Sequence, residues 1–475
     1  MAHALLLLLA LLGPAAPPDD LAKLRQEVES LKHAVADAAS QRALADLEAR
    51  LERVRADLDH LLALRGGDED VRRAIDSLTV QVAELERRVA SLRVRSDDIV
   101  RGFSGIAAGY DEEQGFSLRS ADDAFVLRTR VLVQMRYQGI DIADHQELPA
   151  TPDTSGFLIP RARLDLSGNA YLPRLTYRFL VDFAHDPILE EAWAEWAPCP
   201  CLAVRAGRLQ TPFSRQWLVA EDRFQLADRS DATELFRPDR DLGVQVRFAP
   251  GPGRVQVSAA LMNGSALPAT RNDNLDFAYV ARLTVQPWGA VPPDEGDAED
   301  VQHPLVAVGG SFLYNLVPTD AALVGLPTDV DGDGRIDNVA IWQAGAEAAA
   351  RFRGASLEAE LFYRRYDFGA AQSIEKLTYW GAYGQAGYFL LPRRLEVAGR
   401  YSWAQPSRFG LSSDARRLVG AAHHETTLGG SYLFAGRALK AQLEYSYLVD
   451  DEVPALPGAA SRYSHRVRVQ LQLAF

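Results

Sequence analysis

The chain has 475 residues, 47% of them apolar, and a formal charge of −13. That acidity argues against nucleic acid as a partner, and two cysteines cannot make a disulfide framework. No internal stretch approaches the ~20 continuous apolar residues of a membrane helix, which excludes a helical membrane protein but not a β-barrel, whose lumen face is polar.

Residues 1–16, Met1-Ala-His-Ala-Leu-Leu-Leu-Leu-Leu-Ala-Leu-Leu-Gly-Pro-Ala-Ala16, form an apolar run of signal-peptide length that ends in small residues. Cleavage near Ala15 or Ala16, and export, are expected. Residues 20–95 then carry no aromatic residue and no Pro. Leu24, Val28, Leu31 and Val35 step by four and three; so do Leu44, Leu47, Leu51, Val54, Leu58 and Leu61, and again Val71, Ile75, Leu78, Val82, Leu85, Val89 and Leu92. This is the seam of a coiled coil. It breaks at Gly66-Gly67, where each glycine costs helix stability of about 1 kcal/mol. The break admits a kinked parallel stalk or an antiparallel hairpin within one chain.

Residues 97–123 read as a linker. From about residue 124 the period becomes two. In Phe125-Val-Leu-Arg-Thr-Arg-Val-Leu-Val-Gln-Met-Arg-Tyr137 one face carries Phe, Leu, Thr, Val, Val, Met and Tyr, and the other includes Arg128, Arg130, Gln134 and Arg136. Such runs predict sixteen strands, at 124–138, 157–169, 174–184, 189–196, 201–209, 241–249, 254–262, 277–287, 305–314, 339–352, 355–367, 378–391, 394–404, 424–434, 437–449 and 463–475. Alternate joins are tight, as at Pro198-Cys-Pro200, Arg353-Gly354 and Ala435-Gly436, while most others are long and rich in Asp, Pro, Gly and Ser. Short periplasmic turns and long outer loops give a membrane barrel this asymmetry; a soluble sandwich or propeller has no need of it. An even count returns the carboxyl end to the side of the amino end. The stretch Pro287–Pro304 is the exception, long and acidic where a short turn belongs. The last strand puts Val467, Val469, Leu471, Leu473 and Phe475 on one face and Arg466, Arg468, Gln470 and Gln472 on the other.

Several segments, in this order and spacing, resemble the phosphate-selective porin O and P family of Gram-negative outer membranes. They are Gly207-Arg-Leu-Gln-Thr-Pro-Phe213, Asp228-Arg-Ser230, Arg237-Pro-Asp-Arg-Asp-Leu-Gly243, Ala355-Ser-Leu-Glu-Ala-Glu-Leu361, Tyr383-Gly-Gln-Ala-Gly-Tyr-Phe-Leu-Leu391, Glu396-Val-Ala-Gly-Arg-Tyr401, Thr427-Leu-Gly-Gly430, Gln442-Leu-Glu-Tyr445 and the final eight residues. The resemblance runs from about Gly102 to Phe475. It implies a sixteen-stranded trimeric pore for small anions such as phosphate, in the outer membrane, with a periplasmic coiled coil ahead of the barrel.

The connection Gln210–Arg240 follows the fifth strand, the usual place for a loop folded into a porin lumen. It carries Arg215, Arg223, Arg229, Arg237 and Arg240, interleaved with Asp222, Asp228, Asp231, Glu234 and Asp239. Arg holds its charge always and grips an oxyanion through two parallel hydrogen bonds, and basic rings select anions. Lumen-facing Arg128, Arg130 and Arg136, then Arg161 and Arg163, extend the candidate basic wall. Asp165, Asp182, Glu358 and Glu360 are acids with which such arginines can pair instead.

Asp329-Val-Asp-Gly-Asp-Gly-Arg-Ile-Asp337 is spaced like a calcium loop. Asp329, Asp331 and Asp333 take ligand positions one, three and five, the Arg335 carbonyl takes seven and Asp337 takes nine, but Ala340 stands where an EF-hand has Glu. Weak calcium binding in an outer loop is the one cofactor expectation. Cys199 and Cys201 fall in a predicted periplasmic turn, and His423-His424 reads as an exposed pair. No catalytic constellation stands at motif spacing, so an enzyme is not expected. The expected role is a passive channel for small anions. The alternatives are a general or organic-solute porin of the same fold, or a structural tether that links the outer membrane to the cell wall through the coiled coil.

Overall fold

The computed structural model describes residues 49–57 and 76–90, isolated residues 26, 59 and 73, and residues 106–475 apart from 112–113, 143–152, 185–186, 252, 267–268, 270, 319–336, 369–375, 408–421 and 452–460. The chain divides into two compact units, Met1–Ala107 and Ala108–Phe475. The predicted signal peptide and the Gly66-Gly67 break lie outside the described residues.

In the first unit, residues 49–57 and 76–90 are helical. Leu51, Val54, Leu78, Val82, Leu85 and Val89, all seam positions of the sequence, are buried. Arg55 Nη1 reaches Glu86 Oε1 at 2.9 Å, so the two stretches lie side by side within one chain.

The second unit is a closed antiparallel barrel of sixteen strands, β3 to β18, each paired with the next. They are β3 Val126–Ile142, β4 Thr154–Ala170, β5 Leu172–Asp182, β6 Ile188–Cys199, β7 Leu202–Gln210, β8 Arg240–Phe248, β9 Val255–Met262, β10 Ala278–Val285, β11 Leu305–Pro318, β12 Asn338–Phe352, β13 Ala355–Asp367, β14 Lys376–Leu391, β15 Leu395–Ser407, β16 Ala422–Ala435, β17 Leu439–Asp451 and β18 Arg462–Ala474. Each overlaps one predicted run. The barrel closes between β18 and β3, from Ser464↔Ile142 to Ala474↔Leu132.

Two further strands, β1 Ile106–Asp111 and β2 Gly115–Ser120, form a hairpin within the predicted linker. β2 pairs with the start of β3, Arg119↔Val126 to Phe116↔Thr129. β18 takes the rest of that edge, and Phe475 exchanges backbone hydrogen bonds with Val131 at 2.7 and 3.0 Å. The edge of β3 is thus shared by two partners, which leaves little unpaired backbone to face lipid.

Alternation sets the two faces. In β18, Val467, Val469, Leu471, Leu473 and Phe475 are exposed outward, whereas Arg466, Arg468, Gln470 and Gln472 are buried inward. Outward aromatic residues gather toward the strand ends. Phe125, Tyr171, Trp196, Phe248, Phe352, Phe434 and Phe475 lie by the short turns, and the pairs Tyr137–Phe157, Tyr314–Trp342 and Tyr363–Trp380 lie toward the other rim. Two such girdles mark the interfaces of a membrane barrel. The short turns use backbone suited to tight hairpins: Arg353 and Gly354 have φ 48° and 78°, the pair of positive values that a two-residue turn requires.

Candidate functional site

Residues 211–239, between β7 and β8, fold into the lumen. Two short helices shape the loop, α1 Arg215–Leu218 and α2 Asp231–Phe236. Ser214 and Ser230 cap them by accepting from Trp217 N and Thr233 N at 3.2 and 3.0 Å. The Glu360 carboxylate accepts from Ser214 Oγ and from the backbone of Arg215 and Gln216, at 3.0, 3.0 and 2.7 Å. It thereby satisfies the free donors at the start of α1.

The loop has an apolar side. Phe213, Ala232 and Phe236 are fully buried against Leu209, Met262, Val280, Leu313, Phe362 and Tyr383. The Phe236 ring stacks on Phe362 with centroids 5.2 Å apart and an interplanar angle of 11°. Gly381 makes room for it, since a Cβ there would stand 2.4 Å from the Phe236 ring. One flank of the lumen is therefore a hydrophobic core rather than a wet surface, and burial holds the loop to it at roughly 1.5–3 kcal/mol per large side chain.

The other side of the loop is ionic. Asp228 is gripped by arginines from three strands: Arg136 at 2.6 Å, Arg161 at 3.0 Å and Arg468 at 3.3 Å. Burial would raise its pKa, but Arg161, Arg136 and Arg468 outweigh that and hold it far below the usual carboxylate range. Glu221 pairs with Arg163 and, at 2.9 Å, with Arg229; Asp222 pairs with Arg130 at 2.7 Å. Arg163 also meets Asp182 and Glu190, and Arg240 meets Glu190 and Glu191 at 3.2 and 3.4 Å. A β-bulge in β6 turns both Glu190 and Glu191 inward, where simple alternation would allow one. Arg215 pairs with Glu358 at 3.1 Å, Arg223 with Asp294 at 3.0 Å, and Arg237 with Glu234 and Asp239 at 2.7 and 3.1 Å.

Of the ten arginines singled out in the sequence, nine are thus in ion pairs, and most peg the loop to the wall. Arg128 is half-buried on β3, and its Nε has no hydrogen-bond partner. The His423-His424 pair is not simply exposed: His423 bridges Asp231 of the loop and Asp450 of β17, both at 2.6 Å. His424 accompanies Tyr401 and Asp451. Asp329, Asp331, Asp333 and Arg335 of the calcium spacing lie outside the described residues; Asp337 directly precedes β12. Cys199 and Cys201 are free thiols at the β6–β7 turn.

The long acidic join at 286–304 also turns inward, from the rim of the short turns. Val291 packs with Ala307 and Ala349 at its foot. Asp297 accepts from Gly354 N at 2.8 Å and fastens the segment to the β12–β13 turn. Its tip carries Asp294 and Glu295, 3% and 0% exposed. Glu295 accepts from Gln216, the Gln225 backbone and Gln385, at 2.8, 2.9 and 3.0 Å. Burial, with the Glu358 charge nearby, pushes its pKa up. Asp294 pairs with Arg223 of the loop and with Arg437 of the β16–β17 turn. Two inserts from opposite ends therefore meet inside the barrel. Where they meet, a cavity of about 580 Å³ opens at the short-turn mouth of the barrel, lined by Arg130, Arg223, Arg393 and Arg437 with Glu299. Arg393 and Arg437 sit in tight turns and Asp294 in an aperiodic segment, so strand alternation gave no signal for them.

A family model for phosphate-selective porin O and P matches residues 128–475. No curated protein sequence matches the chain. Among solved structures, the barrel is similar to the outer membrane channel DcaP of Acinetobacter baumannii, at 14% identity and a TM-score of 0.51 over 74% of this chain and 97% of that one. It is also similar to an anion-selective porin from Comamonas acidovorans, at 12% identity and a TM-score of 0.49 over 74% and 99%. At such identities the likeness concerns the fold alone. With the family model spanning nearly the whole barrel, the chain belongs to the phosphate-selective porin O and P family and is an outer-membrane porin.

Proposed function

We propose that this porin passes small anions, phosphate among them, and that its periplasmic mouth contributes the selection. The observation that carries this reading is the mouth cavity, where four guanidiniums face a single lining carboxylate. Arg130, Arg223 and Arg437 keep 21%, 20% and 17% of their side chains exposed, while their partners Asp222 and Asp294 sit behind them at 2% and 4%. An entering ion therefore meets the positive ends first. Rings of arginine serve this purpose in anion pores. The ion pairs deeper in the lumen hold the constriction in shape rather than bind solute. The porin is expected to work as a homotrimer, and residues 20–95 to lie in the periplasm. The Arg55–Glu86 pair favours an antiparallel hairpin there over a parallel stalk.

Reversal potentials in planar bilayers under a potassium chloride gradient test the reading. The wild-type porin is expected to prefer chloride. Replacing both Arg393 and Arg437 with Gln should lower the anion-to-cation permeability ratio by about twofold per charge, as expected for a unit charge ~8 Å from the path in water. A cation-preferring wild type would overturn it.

A further inference from the structure

We propose that Asp294 is a tethered counter-anion: it occupies, between Arg223 and Arg437, the position that the oxyanion of a solute would take, and so sets how weakly the mouth holds its cargo. The inference rests on the anion reading and adds to it a site with a built-in competitor for small oxyanions such as phosphate.

Three observations support it. Asp294 Oδ1 accepts from Arg223 Nη1 at 3.0 Å, and Oδ2 faces Arg437. One carboxylate thus spans two guanidiniums from separate elements, as a phosphate would. Second, the tether is held independently of that contact. Glu295 N donates to Arg223 O at 3.3 Å, Arg353 N donates to Val301 O at 2.8 Å, and Arg351 donates to Asp294 O. Gly296 passes so close to Glu396 that a Cβ would stand 2.3 Å from its Oε1. The acid is therefore positioned by its backbone rather than drawn in by the arginines alone. Third, both guanidiniums remain part of the mouth cavity wall while Asp294 does not line it. Solute can approach the arginines from the cavity, but it finds their charge already half compensated by the carboxylate that stands between them. A conducting pore needs this balance, because binding must be strong enough to admit an ion and weak enough to release it.

The test uses the full-length porin in planar bilayers. Inorganic phosphate is added on the periplasmic side, and the concentration that halves the chloride current is read. Asp294→Asn, nearly the same size, is expected to lower that concentration by about tenfold, the effect of releasing one charge-assisted hydrogen bond and one ion pair. Asp294→Glu keeps the charge and is expected to stay near wild type. An equal gain in both variants, or none in Asp294→Asn, overturns the inference. Should Asp294→Asn fail to fold, Asp294→Ser is read instead: it removes the same charge and is expected to tighten phosphate block by about tenfold, and unchanged block overturns the inference. The two proposals fail separately. An anion-preferring wild type with unaltered block in Asp294→Asn removes only the tethered counter-anion. A cation-preferring wild type with tighter block in Asp294→Asn removes only the anion reading.

Discussion

Asp228→Asn is expected to lower the stability of the constriction loop by about 3–5 kcal/mol, the usual result of removing one partner from a buried charge cluster. Asp228 is the shared partner of Arg136, Arg161 and Arg468, whose side chains are 4%, 13% and 10% exposed. Arg161 and Arg136 have no second carboxylate among the described ion pairs, whereas Arg468 keeps Glu444 at 2.9 Å. Three guanidiniums would then crowd one another with too little compensation, and the ion pairs tying the loop to β3 and β4 would be reduced to Asp222–Arg130 and Glu221–Arg163. Single-channel recordings should show higher conductance and bursts of open-channel noise, and the denaturant midpoint should fall. Quiet, wild-type currents with an unchanged midpoint would show that the apolar flank alone retains the loop.

Phe236→Ala tests that flank. The ring is fully buried, stacks on Phe362 and fills the space left by Gly381. Truncating a buried Phe costs about 3–5 kcal/mol through lost transfer energy and the cavity left behind. The carboxyl end of α2 should detach from β13 and β14, with a wider lumen and greater conductance for both ions of the salt. This differs from Asp294→Asn, which should alter phosphate block and leave the limiting conductance close to wild type. A crystal structure of Phe236→Ala with the loop unmoved would refute the expected detachment.

Much of the scaffold was readable because a barrel strand has to alternate. Lipid on one side and a polar lumen on the other impose period two on every strand, and short turns impose their own residue types, so sixteen strands and the inward loop could be placed from the residues. The hairpin β1–β2 was missed because two six-residue strands carry too few alternations to stand out from a linker. The arginines of the site were readable as a group, but their partners were less so. Glu190 and Glu191 share a face only because β6 bulges, and no pattern in their neighbours announces it. The hydrophobic flank did leave a trace. In β13, Ser356, Glu358, Glu360 and Phe362 all point inward, so an aromatic residue sits on a face otherwise polar and marks where the lumen is dry. Asp294 and Glu295 left only the anomaly of an overlong periplasmic join; their depth in the barrel depends on contacts with residues 70 or more positions away.

The grip on Asp228 also bears on how the barrel is assembled. Its seam joins strands at opposite ends of the chain, with Gln134 and Gln472 in contact across 338 positions. Closing a loop of that length costs about 5 kcal/mol in chain entropy before any pairing is gained. Arg136 on β3 lies only 92 positions from Asp228, and Arg468 on β18 reaches the same carboxylate. A loop seated against β3 therefore offers β18 a docking point beside the edge that it joins. The segment that narrows the pore thus also ties both strands of the seam to one carboxylate.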